Sequence, residues 1–241
     1  NASDRTIIAH FLGTAANGIY SIANKFPNVF INFYNILNLS WTETVSLHFD
    51  DEDRDEFLTE TMTSLFKLFA AACFGIVACM PFVFPILINE KYVAGYDQIL
   101  ILMYAMLFRV LVGLYSCIYV AQKNVKKIAY TSISAAIINI TVNLILINKI
   151  KIFAASISTL VAFFSMFIIR YIDVNKTVHM RIRKPIIIGS ILIGTMLMGT
   201  YYCENKMIQF IALCITAIYA VLTNVDMLKS GMKLVKSHLG K

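Results

Sequence analysis

An all-α bundle of transmembrane helices is the fold class this sequence predicts, on three observations. Hydrophobic residues fill 59% of the 241 positions and charged residues only 15%, where soluble domains carry about 25%. The mean hydropathy is +0.71. Apolar runs of roughly 20 residues, the length that crosses a bilayer, recur along the chain. The net charge of +7 could suit nucleic acid, but the basic residues lie in short clusters between apolar runs. They read as loop charge, and no nucleic-acid partner is expected.

Residues 1–12 read as the outer end of a helix. The chain opens on Asn1 in mid-pattern without an initiator Met, so preceding sequence is expected. The small, turn-prone run from Gly13 to Gly18 should end that helix. A second helix over 17–45 is long enough, at 1.5 Å per residue, to cross about 40 Å. Pro27 should kink it, because proline lacks a backbone donor and crowds the preceding turn. Trp41 is expected at headgroup level near the inner end.

Residues 46–67 hold half of all the acidic residues and are expected as a cytoplasmic loop. Its first part should be solvated. Phe57, Leu58, Thr61, Met62 and Leu65 recur at helical spacing and predict a short interfacial helix. A run of like charges has no fixed ligand geometry, so no metal site is assigned there. Spans are then expected near 68–89, which carries Pro81 and Pro85, and near 97–122, which carries Arg109. The span near 128–148 holds Asn139, Thr141 and Asn143, and three more follow near 152–172, 185–203 and 207–225. That makes seven full spans plus the end of one truncated helix.

Orientation follows from Lys and Arg. With the 13–17 turn outside, thirteen fall on the cytoplasmic side and four outside (Lys91, Lys149, Lys151 and Lys206). The positive-inside rule then puts the C-terminus in the cytoplasm. Arg5, Lys25, Arg109 and Arg170 remain inside spans. Arg170 lies near the inner end of its helix and is expected to snorkel to the interface. Arg5 and Lys25, each eight residues from an edge of the turn, sit roughly 12 Å below the outer surface, and Arg109 roughly 18 Å. A charge in hydrocarbon costs from a few kcal/mol to roughly ten, so such groups usually face a cavity or a partner. Arg5, Lys25 and Arg109 are therefore the candidate substrate-binding residues, lining a cationic cavity suited to an anionic headgroup such as phosphate or diphosphate.

Other features carry less. The aromatic residues around Lys25 (Tyr20, Phe26, Phe30, Phe33, Tyr34) are read as packing. Asn32, Asn35 and Asn38 form a polar stripe that suits interhelical hydrogen bonds and a wet pore equally. The five cysteines form no CxxC pair, the four histidines are scattered, and there is no triad, P-loop or zinc motif. No catalytic residue, metal or cofactor is assigned.

The run Ser3-Asp4-Arg5, then Phe11-Leu12-Gly13, then Gly18-Ile19-Tyr20-Ser21, with Lys25 and Pro27, resembles the start of the second half of bacterial polysaccharide flippases. These are the O-antigen, capsule and exopolysaccharide exporters of the multidrug/oligosaccharidyl-lipid/polysaccharide superfamily. The resemblance implies a two-lobe membrane transporter, of which this chain is the C-terminal lobe and an N-terminal lobe the partner. It implies a flippase, not an enzyme. Its substrate would be a polyprenyl-diphosphate-linked oligosaccharide, carried across the bacterial cytoplasmic membrane for surface polysaccharide synthesis. The family's Asp-Arg motif falls on Asp4 and Arg5 and its following basic position on Lys25. Asp4 and Glu43 are the candidate acids for coupling to an ion gradient. The alternatives are a cation-coupled multidrug exporter of the same superfamily, which would favour an acidic, aromatic cavity, and a membrane-embedded glycan polymerase or acyltransferase.

Overall fold

A computed structural model describes residues 2–229; Asn1, Lys233, Lys236, His238 and Lys241 lie outside the described residues. The chain is an all-α bundle, with no strand among the described residues. Six helices are long and apolar enough to cross a membrane, which makes it a multi-pass membrane protein.

The first helix, α1 (Ala2–Ala23), is two arms joined at Gly13, whose φ of 86° is open to glycine but strained for other residues. Tyr20 Oη lies 3.3 Å from Asp4 Oδ2. Sixteen residues of straight helix would hold them about 24 Å apart, so the chain reverses direction at Gly13. The expected turn of several residues is thus a single-residue bend, and helix resumes at Thr14 rather than near 17.

α2 (Lys25–Leu47) follows after one interrupting residue, Asn24. Pro27 cannot donate to the carbonyl four residues back, and Asn24 Nδ2 braces the same stretch by bonding Tyr20 O at 2.8 Å. This is the irregularity that Pro27 predicted. α2 is long enough to span but is not among the six apolar candidates, because Asn28, Asn32, Asn35 and Asn38 run along it. Trp41 faces the bundle interior: it is buried, and its Nε1–H donates to Leu114 O at 3.2 Å, a helix carbonyl whose second lone pair satisfies the indole as water would.

α3 (Arg54–Leu87) joins the expected interfacial helix and the following span into one helix of 34 residues, about 51 Å long. Its first turns are gripped by the extended segment 178–183. There Val178 and Met180 are fully buried, while the N–H groups of the alternate residues His179, Arg181 and Arg183 bond Asp55, Thr59 and Thr63. Glu60 pairs with Arg183 at 2.7 Å. The front of the acidic stretch, Asp50–Asp53, is exposed as expected; the part beyond Arg54 instead holds a partner segment. Further along, Pro85 leaves Pro81 O without a helical donor, and Lys206 Nζ takes that oxygen at 2.9 Å.

A 3-10 turn (Glu90–Gly95) leads into α4 (Tyr96–Ala121), followed by α5 (Val125–Ile150), α6 (Ile152–Val174), α7 (Lys184–Tyr201) and α8 (Lys206–Thr223). α4 is the axis. Leu102, Leu114 and Ile118 are fully buried along it, α2 and α6 pack on its flanks, and α5 lies outside α6. α3 carries α7 and α8 on the other side. The large exposed apolar side chains lie chiefly on α2, α5, α6, α7 and α8 (Ile36, Ile137, Ile172, Leu192 and Phe210 among them), which is where a bundle meets lipid.

Candidate functional site

Two polar centres interrupt the apolar interior. The first forms where the α1 bend meets α5 and α6. Asp4 is fully buried and accepts from Tyr20 Oη at 3.3 Å, Asn143 Nδ2 at 3.2 Å and Thr159 Oγ1 at 3.0 Å. Asn139 extends the cluster to Ser158 at 3.2 Å. A buried carboxylate costs far less when neutral donors surround it. On α5 the polar and small residues Thr131, Ala135, Asn139 and Asn143 recur every four residues and are all buried, so one face of that helix is built for this contact.

The second centre is a cleft of about 290 Å³ between α2, α4, α5 and α6. α2 is brought against α4 by Gly113, where a Cβ would overlap the Tyr34 hydroxyl. Tyr34 Oη donates to Asn38 Oδ1 at 2.5 Å. Thr42 Oγ1 and Cys117 Sγ are 3.2 Å apart. These contacts close one wall of the cleft, and Arg109 and Arg170 line it from α4 and α6. Among the described residues, no carboxylate lines it.

The two arginines are held differently. Arg170 is buried rather than snorkelled to an interface, at 2% exposure. Its Nε and Nη2 donate to Thr131 Oγ1 at 3.0 and 2.8 Å, Nη1 to Val112 O at 3.1 Å and to Ser116 Oγ, and Nη2 to Ser132 Oγ at 3.2 Å. The reason is directional. A helical Cα–Cβ bond tilts toward the N-terminus, so a long side chain near the C-terminal end of α6 leans back into the bundle, where hydroxyls and carbonyls wait. Arg109 is half-buried and sits over the Phe163 ring at 5.9 Å. Among the described residues no hydrogen bond or ion pair to its guanidinium is present, so its fork of donors is open to the cleft.

Of the candidate substrate-binding and coupling residues, only Arg109 lines this cleft, beside Asn35 and Asn38 of the polar stripe. Arg5, Lys25 and Glu43 are exposed. Arg5 and Lys25 do not share a depth: with the bend at Gly13, Lys25 is twelve residues from it and Arg5 eight, an offset of about 6 Å. Lys25 does share a helix face with the cleft, since Lys25, Asn28, Asn32 and Asn35 follow one another at three- and four-residue steps and are exposed, leading to Asn35 at the cleft wall. Asp4 belongs to the other centre. Sequence reading missed Arg170; its signal was the complement of Ser116, Thr131 and Ser132 on facing helices, which only the packing brings together. No family model matches the chain, and no curated protein or solved structure is significantly similar to it.

Proposed function

We propose that this chain is the C-terminal lobe of a transporter that moves lipid-linked oligosaccharide across the bacterial cytoplasmic membrane, binding the diphosphate of a polyprenyl-linked repeat unit in the α2–α4–α5–α6 cleft. The observation that carries it is the pairing of two guanidinium groups in an intramembrane cleft without a lining carboxylate. Guanidinium groups bind phosphate oxygens through charge-assisted, often bidentate hydrogen bonds. In this reading Arg170, saturated by protein acceptors, fixes the field of the cleft, and Arg109 supplies the free donors. The exposed track from Lys25 through Asn28 and Asn32 would face an N-terminal lobe across the transport path, with Arg5 as a further cation on the rim. The prenyl tail would stay in lipid. Asp4 is the better placed of the two coupling acids, being buried among ionisable and amide partners, whereas Glu43 is exposed. A multidrug exporter for cationic compounds fits the cleft poorly, because its lining is cationic.

The test uses cells deleted for the gene and complemented with wild type or Arg109→Ala, with protein levels matched. Lipid-linked oligosaccharide is quantified on each side of the membrane. The expected result is accumulation of repeat units inside and loss of surface polymer in the variant. Wild-type surface polymer with Arg109→Ala would remove the cleft from the transport path. A deletion that leaves glycan lipids unchanged but sensitises cells to cationic drugs would replace the flippase reading with the exporter one.

A further inference from the structure

A separate cavity of about 430 Å³ opens where the inner ends of α5 and α6 meet over Tyr119 of α4. Its polar edge is a small, unequal charge cluster. Asp173 accepts from Lys127 Nζ at 2.7 Å and from Tyr119 Oη at 2.9 Å, and Lys176 Nζ stands 3.9 Å from its other oxygen. Two ammonium groups thus share one carboxylate. One positive charge is left over, together with most of the ammonium N–H donors. Lys123 on the α4–α5 connection and Lys126 in the first turn of α5, both exposed, add to the same field. Beside Thr131, the remaining lining is apolar: Ile169 and Ile172, which are exposed on α6 at 41% and 55%.

We propose that this cavity binds the headgroup of an anionic phospholipid from the leaflet that meets this end of the bundle. A phosphodiester carries the one negative charge that the cluster lacks. Ile172 precedes Asp173 by one residue and Ile169 by about one helical turn, so the apolar edge runs from the charge cluster along α6 to where the acyl chains of that lipid lie. Lysine clusters at the membrane edge of helical bundles attract anionic lipid by about 1 kcal/mol each, while a soluble anion would gain nothing from Ile169 and Ile172. The inference rests on the multi-pass membrane fold alone and is independent of the flippase reading.

The experiment is native mass spectrometry of the full chain in detergent, loaded with equal amounts of phosphatidylglycerol and phosphatidylcholine of matched acyl chains. Phosphatidylglycerol should be retained in preference. Lys176→Gln, at an exposed position beyond α6, should cut that preference about fivefold, and Lys127→Gln with Lys176→Gln by more than tenfold, in line with the contribution of one lysine each. Asp173→Asn should raise it, because both ammonium groups are released to the lipid. Millimolar inorganic phosphate should leave retention unchanged. Equal retention of the two lipids, no change in Lys176→Gln, or a lower preference in Asp173→Asn would overturn the proposal. Displacement by inorganic phosphate would also overturn it, in favour of a soluble-anion site.

Discussion

Asp4 and Arg109 are both charged groups within a helical bundle, and the protein treats them in opposite ways. Around Asp4 three neutral donors from three segments converge on one carboxylate, with no exposed surface left. Around Arg109 the neighbours are an aromatic face and a cleft, and its donors point to no protein acceptor among the described residues. The first arrangement ties the α1 bend to α5 and α6, so its energy is spent on structure. In the second the desolvation cost is only partly offset, by roughly 0.5–2 kcal/mol of cation–π attraction. A charge held that way is ready for a ligand. Arg170 stands between the extremes: it lines the same cleft, yet its donors are taken up by Thr131, Ser116, Ser132 and Val112 O.

The contrast can be broken by mutation, and the largest effect belongs to Asp4. Asp4→Ala strands the Tyr20, Asn143 and Thr159 donors in a dry site, at about 1–3 kcal/mol for each buried group left unpaired. A clear fall in thermal midpoint in detergent is expected, with Asp4→Asn intermediate because its amide oxygen still accepts. A wild-type midpoint for Asp4→Ala would mean that the junction does not hold the bend. Gly113→Ala comes next. It forces the Tyr34 ring away from α4 and should cost about 1–3 kcal/mol, the usual penalty of overpacking; adding Tyr34→Phe should recover part of that by removing the hydroxyl. A midpoint unchanged by Gly113→Ala would show that α2 is not pressed against α4. Smallest in stability are Arg109→Ala and the exposed pair Arg5→Ala and Lys25→Ala. All three should melt within about 0.5 kcal/mol of wild type, and only the first should lose export on its own. If Arg109→Ala melts as low as Asp4→Ala, the two charges are not held differently after all.

Much of this was legible in the sequence. A reversal between Gly13 and Gly18 was expected, though not that Gly13 alone would make it; the α2 irregularity followed from Pro27, and the membrane class from apolar runs whose length a bilayer dictates. The second helix was expected over 17–45, but α2 runs from Lys25 to Leu47, and its asparagines keep it out of the apolar set. What sequence could not supply was direction and partnership. Arg170 looked free to snorkel because the hydroxyl and carbonyl acceptors that hold its backward-leaning side chain sit on α4 and α5. Trp41 looked interfacial because a carbonyl on a helix seventy residues away cannot be foreseen. The Asp4 cluster was half visible, in the four-residue spacing of Asn139 and Asn143, but Thr159 joins it only through packing. In the same way the stretch after Arg54 read as an interfacial helix, and its partner segment 178–183 came to light only in the packing.

The bond from Lys206 to Pro81 O also bears on how α3 can move. The carbonyl released by Pro85 marks one of the two proline sites that weaken α3, and its new donor comes from the first residue of α8. Any bend of α3 there must either drag the start of α8 along or break that bond, so the two helices form a lever with a built-in latch.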